Sequence, residues 1–144
     1  MSDPTIRFRV DFGRDCSIGI GKVELLEGIA RCGSLSEAAR QMRMSYRRAW
    51  LLLADLNGSF DEPVARASTG GRGGGGAVLT PFGKRLISGY RNMEAALHPL
   101  AANHLKTFAS RVKPANSQTR SKTTPPVASI KRRAGARRRP APGA

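Results

Sequence analysis

Residues 33–50 read GSLSEAARQMRMSYRRAW, and this stretch decides the fold. Ser34 and Glu37 have the spacing of a capping box, in which a serine accepts a hydrogen bond from the backbone amide three residues later. The two alanines that follow are small and allow another helix to approach closely. Ser45 is a favourable N-cap for a further helix. The stretch therefore predicts two short helices joined by a tight turn.

The second of these helices is predicted to span residues 46–57. Apolar residues recur at helical spacing along one arc, which should pack in the core: Tyr46, Ala49, Trp50, Leu52, Leu53 and Leu56. The outward face begins with two arginines in the first turn. When such a helix enters the major groove of DNA, its first turn meets the bases, and guanidinium groups can bind guanine or phosphate. The alternative is an ordinary surface pair of arginines on a helical hairpin. The candidate DNA contacts are Ser45, Tyr46, Arg47, Arg48 and Leu51.

A glycine-rich tip at residues 67–80, ASTGGRGGGGAVLT, lies between strand-like runs at 63–67 and 77–80. Successive backbone amides there can cup a phosphate, and an arginine can reach a narrow minor groove. Residues 71–76 match GxGxxG, but a strand-like run follows where a dinucleotide site needs a helix, and no GK[ST] closes the run. A flexible linker is the alternative. The candidate contacts of this tip are Gly71, Arg72 and Gly73.

The flanking segments complete the predicted architecture. Residues 5–12 alternate apolar and polar side chains as a half-buried strand does, and residues 19–31 have the period of a helix. Thr80 and Pro81 open a long C-terminal helix, which Pro99 should kink or split near His98. The chain is thus predicted to be mainly α with a small β component: a winged helix-turn-helix over residues 1–110 with a long C-terminal helix. Dimerisation is predicted through a heptad-spaced seam of this helix, formed by Leu86, Tyr90, Met93 and Leu97.

Charge is distributed unevenly along the 144 residues, whose formal net charge is +15. Residues 1–110 hold 15 Lys and Arg against 10 Asp and Glu, a balance of +5, whereas residues 111–144 hold 10 Lys and Arg and no acid, a balance of +10. A basic excess of this size favours a polyanionic partner. Because the last segment has few large apolar residues, it is predicted to be a disordered basic tail.

Neither a membrane segment nor catalysis is predicted. The longest apolar run has six residues, far fewer than the ~20 that span a bilayer, and the N-terminus lacks a signal peptide's apolar core. A cytoplasmic, nucleoid-associated protein is expected. Cys16 and Cys32 are not spaced as a metal or redox pair, and His98 and His104 are not spaced as a helical ligand pair. We therefore expect no enzyme activity, metal or cofactor.

Three segments together resemble the N-terminal DNA-binding domain of the ModE-type molybdate-responsive transcription regulators: residues 33–39 (GSLSEAA), 45–50 (SYRRAW) and 69–80 (TGGRGGGGAVLT). LysR-type regulators share the broader helix-turn-helix but not the glycine run. The resemblance covers about residues 5–105 and implies a dimeric winged helix that binds an operator. The positions that match the family's DNA-reading residues are Ser45, Tyr46, Arg47, Arg48 and Arg72.

One departure from that family concerns its effector. Family members carry oxyanion-binding modules after this domain, whereas residues 111–144 are too few and too polar for such a module. Molybdate binding by this chain is therefore not expected. Three functions remain open: a sequence-specific regulator that binds double-stranded DNA as a homodimer, a nucleoid-type protein that coats DNA without sequence choice, and a small oxyanion-binding protein that uses the glycine tip.

Overall fold

A computed structural model describes residues 4–68 and 76–115. Within these ranges, four helices and two small antiparallel sheets confirm the predicted winged helix-turn-helix with a long C-terminal helix. The predicted tip contacts Gly71, Arg72 and Gly73 lie outside the described residues, as does most of the predicted tail. The elements are β1 (Arg9–Asp11), β2 (Ser17–Gly19), α1 (Ile20–Cys32), α2 (Leu35–Gln41), α3 (Tyr46–Ser59), β3 (Ala65–Ser68), β4 (Gly76–Leu79) and α4 (Pro81–Ala109).

The core is formed where α1, α2 and α3 meet. Leu25 and Leu26 of α1 and Leu56 of α3 are fully buried. Small side chains bring α1 and α2 together, because a Cβ added at Gly28 would lie 3.1 Å from the Cβ of Ala38. A larger side chain at either position would push the two helices apart.

Hydrogen bonds at the predicted N-caps confirm three helix starts. The side chains of Ser34, Ser45 and Thr80 accept hydrogen bonds from backbone amides three residues later, at 3.3, 3.1 and 3.0 Å. Gly33 ends α1 in the left-handed region, with φ of 66°, a conformation that glycine adopts without steric cost. These local signals therefore fix where α2, α3 and α4 begin.

The N-terminal strand is shorter than the sequence pattern predicts. Only residues 9–11 pair with β2, with Val10 opposite Ile18. The ring of Phe8 stacks on Tyr90 of α4 with centroids 4.4 Å apart, and the Tyr90 hydroxyl donates to the Phe8 carbonyl at 2.9 Å. Burial raises the pKa of Tyr90. Tyr90 therefore holds the N-terminal segment on α4.

Helix α4 runs unbroken through Pro99, so the prediction that proline splits it is wrong. A proline inside a helix removes one hydrogen bond to the carbonyl four residues earlier. Here Pro99 and Ala95 are both exposed, and water can satisfy that carbonyl. Several turns on each side keep the helix intact. No helix in the described ranges has the length and apolar character needed to cross a membrane.

Candidate nucleic-acid interface

The turn between α2 and α3 orients the second helix. Arg43 adopts a φ of 55°, which is uncommon for a residue other than glycine. Its amide donates to the Arg40 carbonyl, and the Met44 amide donates to the Ala39 carbonyl, both at 3.0 Å. Met44 also packs against the core. Because these hydrogen bonds and the packing of Met44 fix the turn, they also fix the direction of α3 relative to α2.

Helix α3 presents a wide face to solvent. Ala49 and Leu56 are buried, with Leu52 and Leu53 packed beside them. Arg47 and Arg48 are exposed in the first turn, as predicted. Ser45 is exposed as well; its oxygen caps α3, while its hydroxyl hydrogen can still donate.

The predicted apolar arc of α3 is wrong along one edge. Tyr46 is 55% exposed, Trp50 51% and Leu51 50%, although the sequence pattern predicts that Tyr46 and Trp50 face the core. The contact side is centred between Ala49 and Leu52, about a quarter-turn or more away from Trp50 at 100° per residue. The aromatic edge of α3 therefore lies beside Arg47.

A partly buried lysine holds α3 against the preceding elements. Lys22 of α1 donates to the Ser17 carbonyl at 2.8 Å and forms an ion pair with Asp55 of α3. Its side chain is only 13% exposed, so the contact is partly shielded from water. Sequence reasoning missed this contact because its two ends are 33 residues apart.

Asn57, near the end of α3, binds the start of the β3–β4 hairpin. Its Oδ1 accepts hydrogen bonds from the amides of Val64 and Ala65 at 2.8 and 3.3 Å, and its Nδ2 donates to the Ala65 carbonyl at 3.2 Å. The sequence pattern indicates Asn57 only as a helix end. The Asn57 side chain thus links α3 to the hairpin.

The segment Pro63–Ala65 is held from its other side by the start of α4. Thr80 donates its hydroxyl to the Pro63 carbonyl at 2.6 Å and its amide to the Val64 carbonyl at 3.0 Å. A Cβ at Gly83 would lie 2.0 Å from the Val64 carbonyl oxygen, so only glycine fits there. We call this cluster the wing root: Asn57, Pro63, Val64, Ala65, Thr80 and Gly83.

Strand β4 completes the hairpin and reaches back to the start of α2. It pairs with β3 in antiparallel register from Ala65↔Leu79 to Ser68↔Gly76. The Ala77 amide donates to the Gly33 carbonyl at 3.0 Å, just before the Ser34 cap. The base of the hairpin therefore contacts the ends of three helices and is fixed relative to α2 and α3.

Basic side chains are frequent on this part of the surface. Arg43 of the turn, Arg47 and Arg48 of α3 and Arg66 of β3 are all exposed. Across residues 4–68 and 76–115, no group of three or more His, Cys, Asp or Glu side chains is arranged to hold a metal ion. The surface thus presents exposed guanidinium groups on a backbone that is held in place by the helix N-caps, the turn between α2 and α3, and the wing root.

Two helices joined by a tight turn and followed by an antiparallel hairpin define a winged helix-turn-helix. Residues 20–84 match the bacterial regulatory helix-turn-helix proteins of the lysR family. This part of the chain is therefore similar to the helix-turn-helix domain of LysR-type regulators.

Relatives of known role match part of the chain. The molybdenum-pterin-binding protein MopB of Rhodobacter capsulatus is 42% identical over 91 residues, 63% of this chain and 34% of the relative. The molybdenum transport protein ModE of Azotobacter vinelandii is 36% identical over 92 residues, 61% of this chain and 34% of the relative. The DNA-binding transcriptional dual regulator ModE of Escherichia coli K12 is 42% identical over 69 residues, 48% of this chain and 26% of the relative. The chain thus spans about a third or less of these relatives.

Proposed function

We propose that this protein is a sequence-specific transcription regulator that binds double-stranded DNA through α3. The observation that carries the proposal is the exposure of Arg47 and Arg48 in the first turn of α3. The N-terminal residues of a recognition helix are the ones that reach base edges in the major groove. The match of residues 20–84 to lysR-family regulators and the DNA-binding regulatory role of the Escherichia coli relative support the same function.

We propose different roles for the two arginines because they occupy different places on α3. Arg47 lies opposite the buried Ala49–Leu56 side, so it points straight out and can bind a guanine with both arms of its guanidinium group. Arg48 lies nearer the edge of the exposed face, where it can bind a backbone phosphate. Ser45 and Tyr46 add hydroxyl donors beside them. Arg47 should therefore carry base choice, and Arg48 mainly affinity.

The hairpin is proposed to act as a wing that contacts the neighbouring backbone. Its base is fixed by the wing root, which supports a constant distance between the wing and α3. Gly71, Arg72 and Gly73 are proposed as its DNA contacts, because glycine amides can approach a phosphate closely. Exposed Arg66 at the start of the hairpin adds positive charge on the way to that tip.

We also propose that the protein acts as a homodimer through α4. Leu86 and Tyr90 pack within their own chain, so Met93 and Leu97 would form the seam itself. Met93 is 39% exposed, and exposed apolar residues continue along α4 at Leu100 (53%) and Phe108 (66%). Large exposed apolar surfaces mark interaction sites. A second copy would place two α3 helices on two half-sites.

The relatives' names suggest the setting of this regulation. Three of them refer to molybdenum or to ModE, so genes for molybdenum uptake or use are the proposed targets. Because the match covers about a third of those proteins, the proposal is confined to DNA binding and includes no effector. Action on DNA implies a cytoplasmic location on the nucleoid.

Selection of bound fragments from sheared genomic DNA tests the proposal. Purified full-length protein is incubated with the fragments and a large excess of random competitor, and bound fragments are sequenced and footprinted. We expect a shared sequence and a protected site of two half-sites. Recovery of fragments without a shared sequence would contradict specific binding and support the DNA-coating alternative, for which the +10 balance of residues 111–144 is the supporting observation.

A further inference from the structure

The outward face of α3 is more apolar than its arginines suggest. Trp50 and Leu51 flank the direction of Arg47, one turn further along the helix, and both are about half exposed, at 51% and 50%. Ala54, a turn beyond Trp50, is exposed as well. Apart from the guanidinium group of Arg47 and the indole N–H of Trp50, these side chains carry no hydrogen-bonding group, so the middle of this face is mostly apolar.

The exposure of Trp50 is unusual for a tryptophan. Tryptophan is largely buried on average in folded proteins, and a rigid aromatic side chain left in water is frequent at contact surfaces. Ala49 and Leu56 form the fully buried side of α3, whereas half of the Trp50 side chain is exposed. Its indole therefore remains available for a partner that meets α3 from outside.

The chemistry of the major groove indicates which part of DNA such a face would contact. Thymine alone among the four bases presents a methyl group there, whereas the other bases present hydrogen-bond donors or acceptors. The ring face of an indole and a leucine side chain gain from burying a methyl group and offer no hydrogen bond to a carbonyl or an amino group. The indole N–H can donate only from the edge of the ring. One helical turn rises about 5.4 Å, so Trp50 and Leu51 lie within about two base pairs of the base that Arg47 would contact.

We propose that Trp50, together with Leu51, reads thymine methyl groups in the major groove, so that bound sites carry thymine within about two base pairs of the base contacted by Arg47. This inference rests on the proposed function and adds a specificity-determining residue to it. Trp50 contributes the larger apolar surface. Leu51 closes the other side of the contact.

Removal of single methyl groups from the DNA tests the proposal. The best sequence selected from a randomised duplex pool is prepared with each thymine replaced in turn by deoxyuridine, which lacks only the 5-methyl group. We expect full-length protein to lose about fourfold in affinity at one or two thymines, the fold-change that corresponds to burial of one CH₂-sized group. In Trp50→Ala the same replacements should change affinity by less than twofold. Trp50→Phe should retain part of the effect.

Arg47→Ala is the matched control within the same face. It should weaken binding while leaving the methyl effect near Trp50 in place. Because Trp50 is half exposed, Trp50→Ala is expected to fold, and far-UV circular dichroism of both variants checks this. Methyl removal without effect in the wild-type protein, or with equal effect in Trp50→Ala, would overturn the inference. A different sedimentation mass of Trp50→Ala from that of the wild type, together with an unchanged methyl effect, would also overturn it. Trp50 would then contact a second copy of the protein instead of DNA.

Failure of this inference is distinguishable from failure of the proposed function. If the pool yields no enriched sequence, specific DNA binding itself fails. If it yields a sequence whose methyl groups do not matter, only the role of Trp50 fails. Trp50 is the one tryptophan of the chain, so its fluorescence provides a second readout. Shielding from acrylamide quenching by the selected duplex is expected, and an unchanged quenching constant in the saturated complex would contradict the contact.

Discussion

At the scale of single residues, Gly83 shows how closely the start of α4 approaches the wing root. Its missing side chain leaves room for the Val64 carbonyl, which would lie 2.0 Å from an added Cβ. Backbone on both sides prevents an easy adjustment. We expect Gly83→Ala to lower the free energy of unfolding by about 2–3 kcal/mol, the usual cost of overpacking a tight contact, as measured by urea denaturation.

Gly89 offers the control for that substitution in the same helix. A Cβ at Gly89 meets no atom within 4 Å, so Gly89→Ala should raise the free energy of unfolding by about 0.5–1 kcal/mol, because alanine is the better helix former. Equal effects of the two substitutions would contradict the close approach at the wing root.

At the scale of elements, Asn57 couples α3 to the hairpin. Asn57→Leu keeps the approximate volume but leaves the amides of Val64 and Ala65 without their acceptor. We expect a loss of about 1–3 kcal/mol in stability and much faster hydrogen exchange at those two amides, measured by NMR. Asn57→Asp retains the acceptor oxygens and should lose less. Unchanged exchange at Val64 and Ala65 in Asn57→Leu would show that Asn57 does not hold the wing root.

An ion-pair cluster joins α1 to α4 and makes stability depend on pH. Arg91 donates to both carboxylate oxygens of Glu27 at 2.7 and 2.8 Å and also pairs with Glu94 at 3.1 Å. The hydrogen bonds from Arg91 lower the pKa of Glu27 below 4.5 and raise the pKa of Arg91. Because a lowered carboxyl pKa favours the folded state only while the carboxylate is charged, this contribution is present above about pH 4.5 and is lost as pH falls.

Glu27→Gln is therefore expected to cost about 1 kcal/mol at pH 7, a modest value because Arg91 is 35% exposed and water screens the pair. The difference from the wild type should shrink below pH 4.5, as thermal unfolding across pH 3–7 would show. Glu24→Gln, at an exposed position of the same helix, is the matched control. A constant difference across this pH range would contradict the role of the Glu27 charge.

Local signals in the sequence are sufficient for most element boundaries but not for the contacts between elements. Ser34, Ser45 and Thr80 act on amides three residues away, so their spacing alone predicts the caps. The partners of Lys22 and Asn57 depend on how helices and strands meet, which no local pattern contains. The prediction that Trp50 faces the core is wrong because period alone does not say how wide the buried arc of α3 is.

At the scale of the whole molecule, the basic C-terminal segment should add affinity without sequence choice. Residues 116–144 contain eight Lys and Arg. Their removal should weaken binding to any duplex, while the preferred sequence stays the same. The negative slope of log K against log salt should become less steep by about 0.9 for each phosphate that the segment no longer neutralises. Filter binding across a series of salt concentrations measures both. Replacement of those eight residues by glutamine at constant length is the control for chain length, and an unchanged slope would contradict the role of the tail.

The central claim is that α3 reads bases through Arg47, and the most direct measurement compares base preference in two arginine variants. Arg47→Ala and Arg9→Ala each remove one exposed positive charge, the second from β1. Affinity is measured for the selected duplex and for all single-base changes of it. We predict that Arg47→Ala loses discrimination worth about 1–3 kcal/mol at one base pair, whereas Arg9→Ala keeps the wild-type preference at every position. A uniform loss over all duplexes in Arg47→Ala, with every base preference retained, would contradict the account.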